Sequence, residues 1–277
     1  MTPDQDLLPE LQQAIESDRI LLPTLPEVAL RVRDAVERES ATVRQVADIV
    51  ATDAALSARL LQVANSPLYR GRVPIDNLQM AITRLGTRLV RSLVVSLAMR
   101  QMFQATSPGL DHAFRQTWER SVEVAGIARM LSKTQAQLDP EQALLAGLIH
   151  DIGALPVLTL LEQKGMDLDN RTFDFLLTEL SPAVGGMILK KWDFPAPLVA
   201  VAENFHNFAY QGGPEADYVD LVIVARLQSL SGSSHPDAAL DWNDIQSFAK
   251  LGLGPEIEVV EMEGAAEEIS EVKQMFS

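Results

Sequence analysis

The stretch LLAGLIHDIGALPVL, residues 144–158, is strongly apolar except at its middle, where His150 and Asp151 stand side by side. Burying an imidazole beside a carboxylate is costly unless each finds a partner. Adjacent His and Asp side chains can give two ligands to one metal ion, and a working site needs more than two. The chain has no cysteine and four histidines, so only His112, His206 and His235 could add further imidazoles. Function therefore turns on whether the remaining ligands exist.

The bulk numbers narrow the classes. With 277 residues, 47% hydrophobic and 22% charged, the chain can bury a large core of one domain, or of one domain with an appendage. The lack of cysteine excludes disulfides and thiolate metal sites and fits a reducing, cytoplasmic setting. The opening MTPDQDLLPELQQ is acidic and polar, unlike a signal peptide. The longest apolar stretch, around residues 143–161, is interrupted by Gly147, His150, Asp151, Gly153 and Pro156, so no membrane span is expected. A net charge of −15 argues against nucleic-acid binding, which needs an excess of Lys and Arg.

Nearly every segment reads as helix, and no run of period-two alternation appears, so the fold class is all-α. Pro26 opens a helix to about Glu39. Thr42 with Gln45 makes a capping box for a helix through Val50, and Asp53 caps AALSARLLQVA. Asn77 to Leu85 is a short helix closed by Gly86, and Thr87 caps a longer one to about Gln104. Ser107-Pro108-Gly109 then marks an internal boundary, followed by a helix from His112 to Ser132. Asp139-Pro140-Glu141 launches the helix carrying His150. Ser181-Pro182 is read as the start of another, ended by WDFPAP, and Gly212-Gly213-Pro214 and the Ser231 to Ser234 loop flank one more. From Glu256 to Glu271 seven glutamates occur with no basic residue before Lys273. A solvated terminal helix docked through Val259, Val260, Met262 and Ile269 is the preferred reading there, ahead of an interaction tail.

Several of these stretches together resemble the HDOD family, the HD-related output domain of bacterial signalling proteins. They are LLPTLPEVALRV (21–32), VADIVATDAALSARLLQVANSPLYRG (46–71), IDNLQMAITRLGTRLVRSLVV (75–95), AGLIHDIGALPVL (146–158), and VGGMILK running into KKWDFP with Trp192 (184–195). The resemblance covers roughly residues 20–230. It implies an HD-superfamily-like helical bundle with an N-terminal helical subdomain. The implied divisions are an N-terminal helix over 1–19, an HDOD-like domain over 20–232 (parts 20–106 and 110–232), and an acidic helical extension over 233–277.

The fold is similar to that of HD phosphohydrolases, which hold metal through a His, the His-Asp pair and a later Asp, and use it to activate water. What the resemblance implies at each position can be read off this chain. The pair is present as His150-Asp151. Arg120 stands where the first His would fall, between Trp118 and Ser121, and Arg226 stands at the late Asp, after Ala225. The HD-GYP branch also carries a Lys where this chain has Ala154, and paired histidines where it has Phe205-His206.

Guanidinium groups stay protonated and cannot donate a lone pair to a metal. Arg120 and Arg226 are therefore expected to replace the ion electrostatically by pairing with Asp151. On that view Arg120→Ala costs roughly 3–5 kcal/mol, the price of an orphaned buried charge. A degenerate structural pair, with no catalytic residue, metal or other cofactor, is preferred over a metal site. The competing site is a divalent transition metal held by His150, Asp151 and His206. His112 and His235 read as solvent-exposed.

Between Arg59 and Arg100 lie seven arginines and one acidic residue, Asp76. Arg84, Arg88 and Arg91 share a helical face if one helix runs through Gly86-Thr87. A solvated face is the bland reading; an acidic partner surface or an anionic nucleotide is the functional one, since Arg forks suit phosphate. No phosphate-binding glycine loop and no Gly-x-Ser-x-Gly elbow accompany them. The chain thus reads as a non-catalytic output or adaptor protein acting on a signalling partner in trans. The alternatives are an HD-type phosphohydrolase with an altered ligand set and a nucleotide-binding regulator without hydrolysis.

Overall fold

Capping chemistry sets the helix starts of the first half. The computed structural model describes residues 13, 17, 23–37, 42–102, 108–163, 170–233, 235–254, 257 and 259–276. After α1 (Glu27–Glu37), Thr42 and Gln45 close a reciprocal capping box on α2 (Val43–Val50). Asp53 accepts from the Leu56 amide to start α3 (Ala54–Ala64), and Asn77 does the same from Met80 for α4 (Leu78–Leu85). Each cap satisfies an amide that the first turn would otherwise leave unpaired. Gly86, at φ 79°, ends α4 and turns the chain into α5 (Thr87–Met102). The expected helix over 1–19 falls almost wholly outside the described residues, as do residues 38–39 and 103–107.

The second half is built around α6 (Pro108–Ser132), which packs against α7 (Pro140–Ile149), α8 (Ala154–Gln163), α11 (Tyr218–Ser229) and α13 (Ala265–Phe276). Asp139 caps α7 by accepting from the amides of Glu141 and Gln142. Between these lie α9 (Asn170–Lys191), α10 (Ala196–Asn204) and the short α12 (Gln246–Lys250), and no strand occurs among the described residues. Ser181-Pro182 does not open a helix: it lies inside α9. Pro182 withholds one amide from the helix ladder. Leu176, Leu180, Val184, Ile188 and Leu189 bury both halves of that helix, and tertiary packing carries it through.

The two halves share one core. The α5 helix buries ten residues and lies between α1 and α7. Trp192, at the end of α9, donates from Nε1 to the Pro23 carbonyl at 3.1 Å, and Arg33 of α1 donates back to the Trp192 carbonyl. The terminal helix α13 docks on α6 through Ile269, Val272, Met275 and Phe276, while Val259 is buried just upstream. It is more than a solvated acidic helix, because Glu268 is buried against Arg129 and Lys133. Pro140–Gln163 is long and apolar enough to cross a bilayer by composition, yet 83% of its most apolar 18-residue window is buried in the bundle and it breaks into α7 and α8 at His150–Gly153.

Two glycines set how closely these helices approach. A Cβ on Gly147 would collide with the backbone of Ala125 on α6, and one on Gly153 with the Ser181 carbonyl and the Gly185 amide on α9. Gly153→Ala should therefore cost about 1–3 kcal/mol or more. Gly213→Ala, where the added Cβ meets nothing within 4 Å, should change stability by less than about 0.5 kcal/mol. Urea unfolding of the two variants compares them directly.

Candidate functional site

His150 sits at the C-terminal end of α7 with 1% of its surface exposed. Its Nδ1 lies 2.6 Å from the Gly147 carbonyl, an acceptor only, so Nδ1 carries the proton and donates. The Nε2 atom is buried without a hydrogen-bond partner. Its lone pair is therefore unengaged, in the tautomer that metal-ligating histidines also use. Burial, and after it the charges of Arg226 and Arg120, push His150 down to about 3, so the ring is neutral.

Asp151 is half-buried and accepts a short hydrogen bond from the Ser181 hydroxyl of α9. The contact exists because Gly153 lets this turn reach α9. Burial raises the Asp151 carboxyl to about 6, against the opposing effects of Ser181, Arg120 and Arg226.

The expected pairing of both arginines with Asp151 is not what forms. Arg226, on α11, is 2% exposed and donates from Nη1 to Asp237 Oδ2 at 2.6 Å. Its guanidinium also lies over the Phe208 ring, 5.9 Å from the centroid. It reaches Asp151 only through space, by a charge that lowers the Asp151 carboxyl. Arg120 is half-buried on α6 and makes no hydrogen bond or ion pair among the described residues. Its charge is felt by His150, Asp151, His206 and Arg226. The large cost foreseen for Arg120→Ala accordingly moves to the Arg226 pair.

Asp237 is the residue that sequence reasoning missed. It lies in a short 3₁₀ turn (Pro236–Ala239) whose N-cap, His235, accepts the Asp237 amide on Nδ1 at 3.2 Å. His235 was expected in solvent, but it is only 15% exposed. Its Nδ1 lies 3.7 Å from Asp237 Oδ2 and that of His206 lies 4.0 Å away. Neither approach is an ion pair. Burial holds both imidazoles below their ordinary range, and the His235 Nδ1 lone pair is already taken by an amide. A polar His-Pro-Asp turn following a helix with a buried arginine was the one available signal, and it is a weak one. His112 is exposed, as expected.

The His206 ring lies tilted against Phe205, with centroids 4.3 Å apart, and Phe205 meets His150 edge-on at 4.9 Å. The ring of Phe205 thus packs against both imidazoles that were to share an ion. Among the described residues, no group of three or more His, Cys, Asp or Glu is placed to hold a metal.

The arginine face read from residues 84, 88 and 91 does not form either. Gly86 turns α4 away from α5, and each arginine goes its own way. Arg84 donates to the carbonyls of Ala64 and Val73, which ties down the turn-rich segment after α3. Arg88 is 85% exposed and stands 3.7 Å from Asp139, while Arg91 faces Arg33 and Phe194.

Asp237→Ala should destabilise the fold by roughly 3 kcal/mol by stranding the Arg226 charge, and Arg120→Ala by less than about 1 kcal/mol. Chemical denaturation of both at pH 7 checks the contrast. The His150-Asp151 pair also fixes a pH dependence. Between pH 6.5 and about 3 the unfolded chain binds a proton at His150 that the folded chain refuses, so stability falls on acidification by at most about 1.4 kcal/mol per pH unit. Asp151 acts oppositely. Its folded form takes a proton between about 6 and 3.8 that the unfolded chain does not, which adds stability as pH falls. Asp151→Asn should therefore steepen the loss of stability between pH 6 and 4, and His150→Asn should flatten it, as read from urea midpoints across that range.

The HDOD domain profile matches residues 22–208. A crystal structure of a candidate metal-dependent phosphohydrolase from Shewanella amazonensis SB2B is similar over 100% of both chains, with 31% identity and a TM-score of 0.87. A candidate signal transduction protein from Marinobacter aquaeolei VT8 shares the fold at 22% identity and a TM-score of 0.65, over 99% of this chain and 65% of that one. An uncharacterized protein of Treponema pallidum (strain Nichols) is 24% identical over 225 residues; these span 76% of this chain and 42% of the relative. With the bundle, the His150-Asp151 turn and a profile that spans well over half of its residues, the chain belongs to the HDOD family.

Proposed function

We propose that the protein is a non-catalytic output or adaptor module of bacterial signal transduction, acting in a reducing cytoplasm by binding a signalling protein in trans. The observation that carries this reading is Arg226: a buried guanidinium, closed by Asp237, at the position where catalytic relatives are expected to carry a metal-ligating Asp. The donors present do not fit a divalent ion. One neutral imidazole nitrogen and one serine-bonded carboxyl face the charges of Arg226 and Arg120, which repel a cation and give it no lone pair. The pocket is read as a degenerate metal site that now serves packing and recognition.

A second reading, a metal-dependent phosphohydrolase with an altered ligand set, draws on one specific feature. His150 keeps a ligand-like tautomer with Nε2 unengaged. The similarity to the Shewanella amazonensis protein, whose name proposes that activity, points the same way. A third, nucleotide binding without hydrolysis, concerns the arginine-rich stretch between Arg59 and Arg100.

Hydrolysis of bis(p-nitrophenyl) phosphate with added manganese, zinc, iron or nickel separates the first two readings. The expected result is no metal-dependent turnover above that of His150→Ala. Turnover that His150→Ala abolishes would overturn the adaptor reading in favour of the phosphohydrolase.

A further inference from the structure

A line of buried polar contacts joins the terminal helix to the turn-rich segment after α3. Glu268 of α13 is buried and accepts from Arg129, on α6, and from Lys133 just beyond it. Arg129 donates from its other terminal nitrogen, Nη2, to Glu141 Oε1 of α7 at 3.0 Å. The Tyr69 hydroxyl donates to the same carboxylate, 3.1 Å from Oε2 and 3.3 Å from Oε1. The Arg129 guanidinium also lies over the Tyr69 ring, 5.7 Å from its centroid. Burial, and after it the charge of Glu141, hold the Tyr69 pKa above its ordinary range, so the hydroxyl keeps its proton. Arg129 is thus shared between two carboxylates, and its Nε is buried without a hydrogen-bond partner. If α13 leaves, one carboxylate goes with it, and the buried charge must be met by Glu141 alone. A guanidinium takes a single carboxylate best through a two-pronged fork, for which the idle Nε is available. Such a fork competes with Tyr69 for both Glu141 oxygens.

We propose that the docking of α13 and the ordering of the segment 66–76 are coupled through Glu268, Arg129, Glu141 and Tyr69. Displacing the terminal helix then alters the surface that this segment presents, and engaging that surface alters the docking of α13. The surface carries Arg70, Arg72 and Val73, all exposed, with Val73 at 64%. The far side of the segment is fastened separately. Asn65 bonds both the amide and the carbonyl of Ile75, and Arg84 holds the Val73 carbonyl. The change therefore falls at Tyr69 rather than unfolding the whole segment. Such a coupling is reciprocal, because each end biases the same Arg129–Glu141 arrangement. None of these residues belongs to the pocket around His150, so the coupling stands or falls independently of the function proposed above.

Amide hydrogen exchange of the full chain, resolved by NMR, reads the coupling. The amides of Tyr69 and Arg70 are both held by the Ser66 carbonyl, at 3.1 and 2.7 Å, and exchange only when that turn opens. The expected result is that Glu268→Gln speeds both about fivefold or more. Glu267→Gln, exposed on the same helix, should leave them unchanged, and the amides of α10 should keep their rates in both variants. In the reverse direction, Tyr69→Phe should speed exchange at Ile269 and Val272 of α13. With Tyr69→Phe already made, Glu268→Gln should add less than about twofold at residues 69 and 70. Unchanged exchange of these two amides in Glu268→Gln would overturn the proposal. So would an equal rise in Glu267→Gln, a rise spread equally over α10, no effect of Tyr69→Phe on α13, or full additivity of the two substitutions.

Discussion

The pairing of Arg226 with Asp237 is the constraint on which the second half of the molecule depends. A guanidinium cannot shed its proton in a protein, so once it is buried on α11 it must be met by a carboxylate. That carboxylate comes from a turn beyond α11, and the requirement holds residues 235–239 against the core. The same charge reaches His150 and His206 through the low-dielectric interior and helps to keep both rings neutral. A second buried pair, Arg129 with Glu268, repeats the arrangement further along and fastens the terminal helix to α6. The acidic end of the chain is thus joined to the bundle by carboxylates that answer buried arginines.

Around this pair the geometry is fixed by close approach. Gly147 and Gly153 bracket the His-Asp turn and let it touch α6 and α9 where any side chain would collide. Ser181 can reach Asp151 only because of that contact, and Phe205 packs against the imidazoles of both His150 and His206. His150 keeps the tautomer of a ligand-type histidine, and the charges of Arg226 and Arg120 act on it and on Asp151.

Much of this was legible in the residues. Helix starts at Thr42, Asp53, Asn77 and Asp139 follow from local cap chemistry, which sequence states directly. The His-Asp pair is visible in its own motif, while the reading of Arg120 and Arg226 as replaced ligands comes from the family resemblance alone. Three things were not legible. Pro182 was read as a helix start, because the packing that carries α9 through it is non-local. Asp237 was missed because its role depends on a fold-back that no local pattern encodes. Arg84, Arg88 and Arg91 look like one face on paper, but Gly86 takes a positive φ that rotates the helices apart.

The proposed reading makes this HDOD chain a recognition element on a scaffold that related proteins use for hydrolysis, and such reuse of a fold is common. The central claim is that Arg226 and Arg120 exclude the ion. It is tested most directly by elemental mass spectrometry of the protein purified without chelator, alongside His150→Ala. The account predicts manganese, iron, nickel and zinc well below one ion per chain and unchanged by the substitution. One ion per chain, lost in His150→Ala, would contradict it.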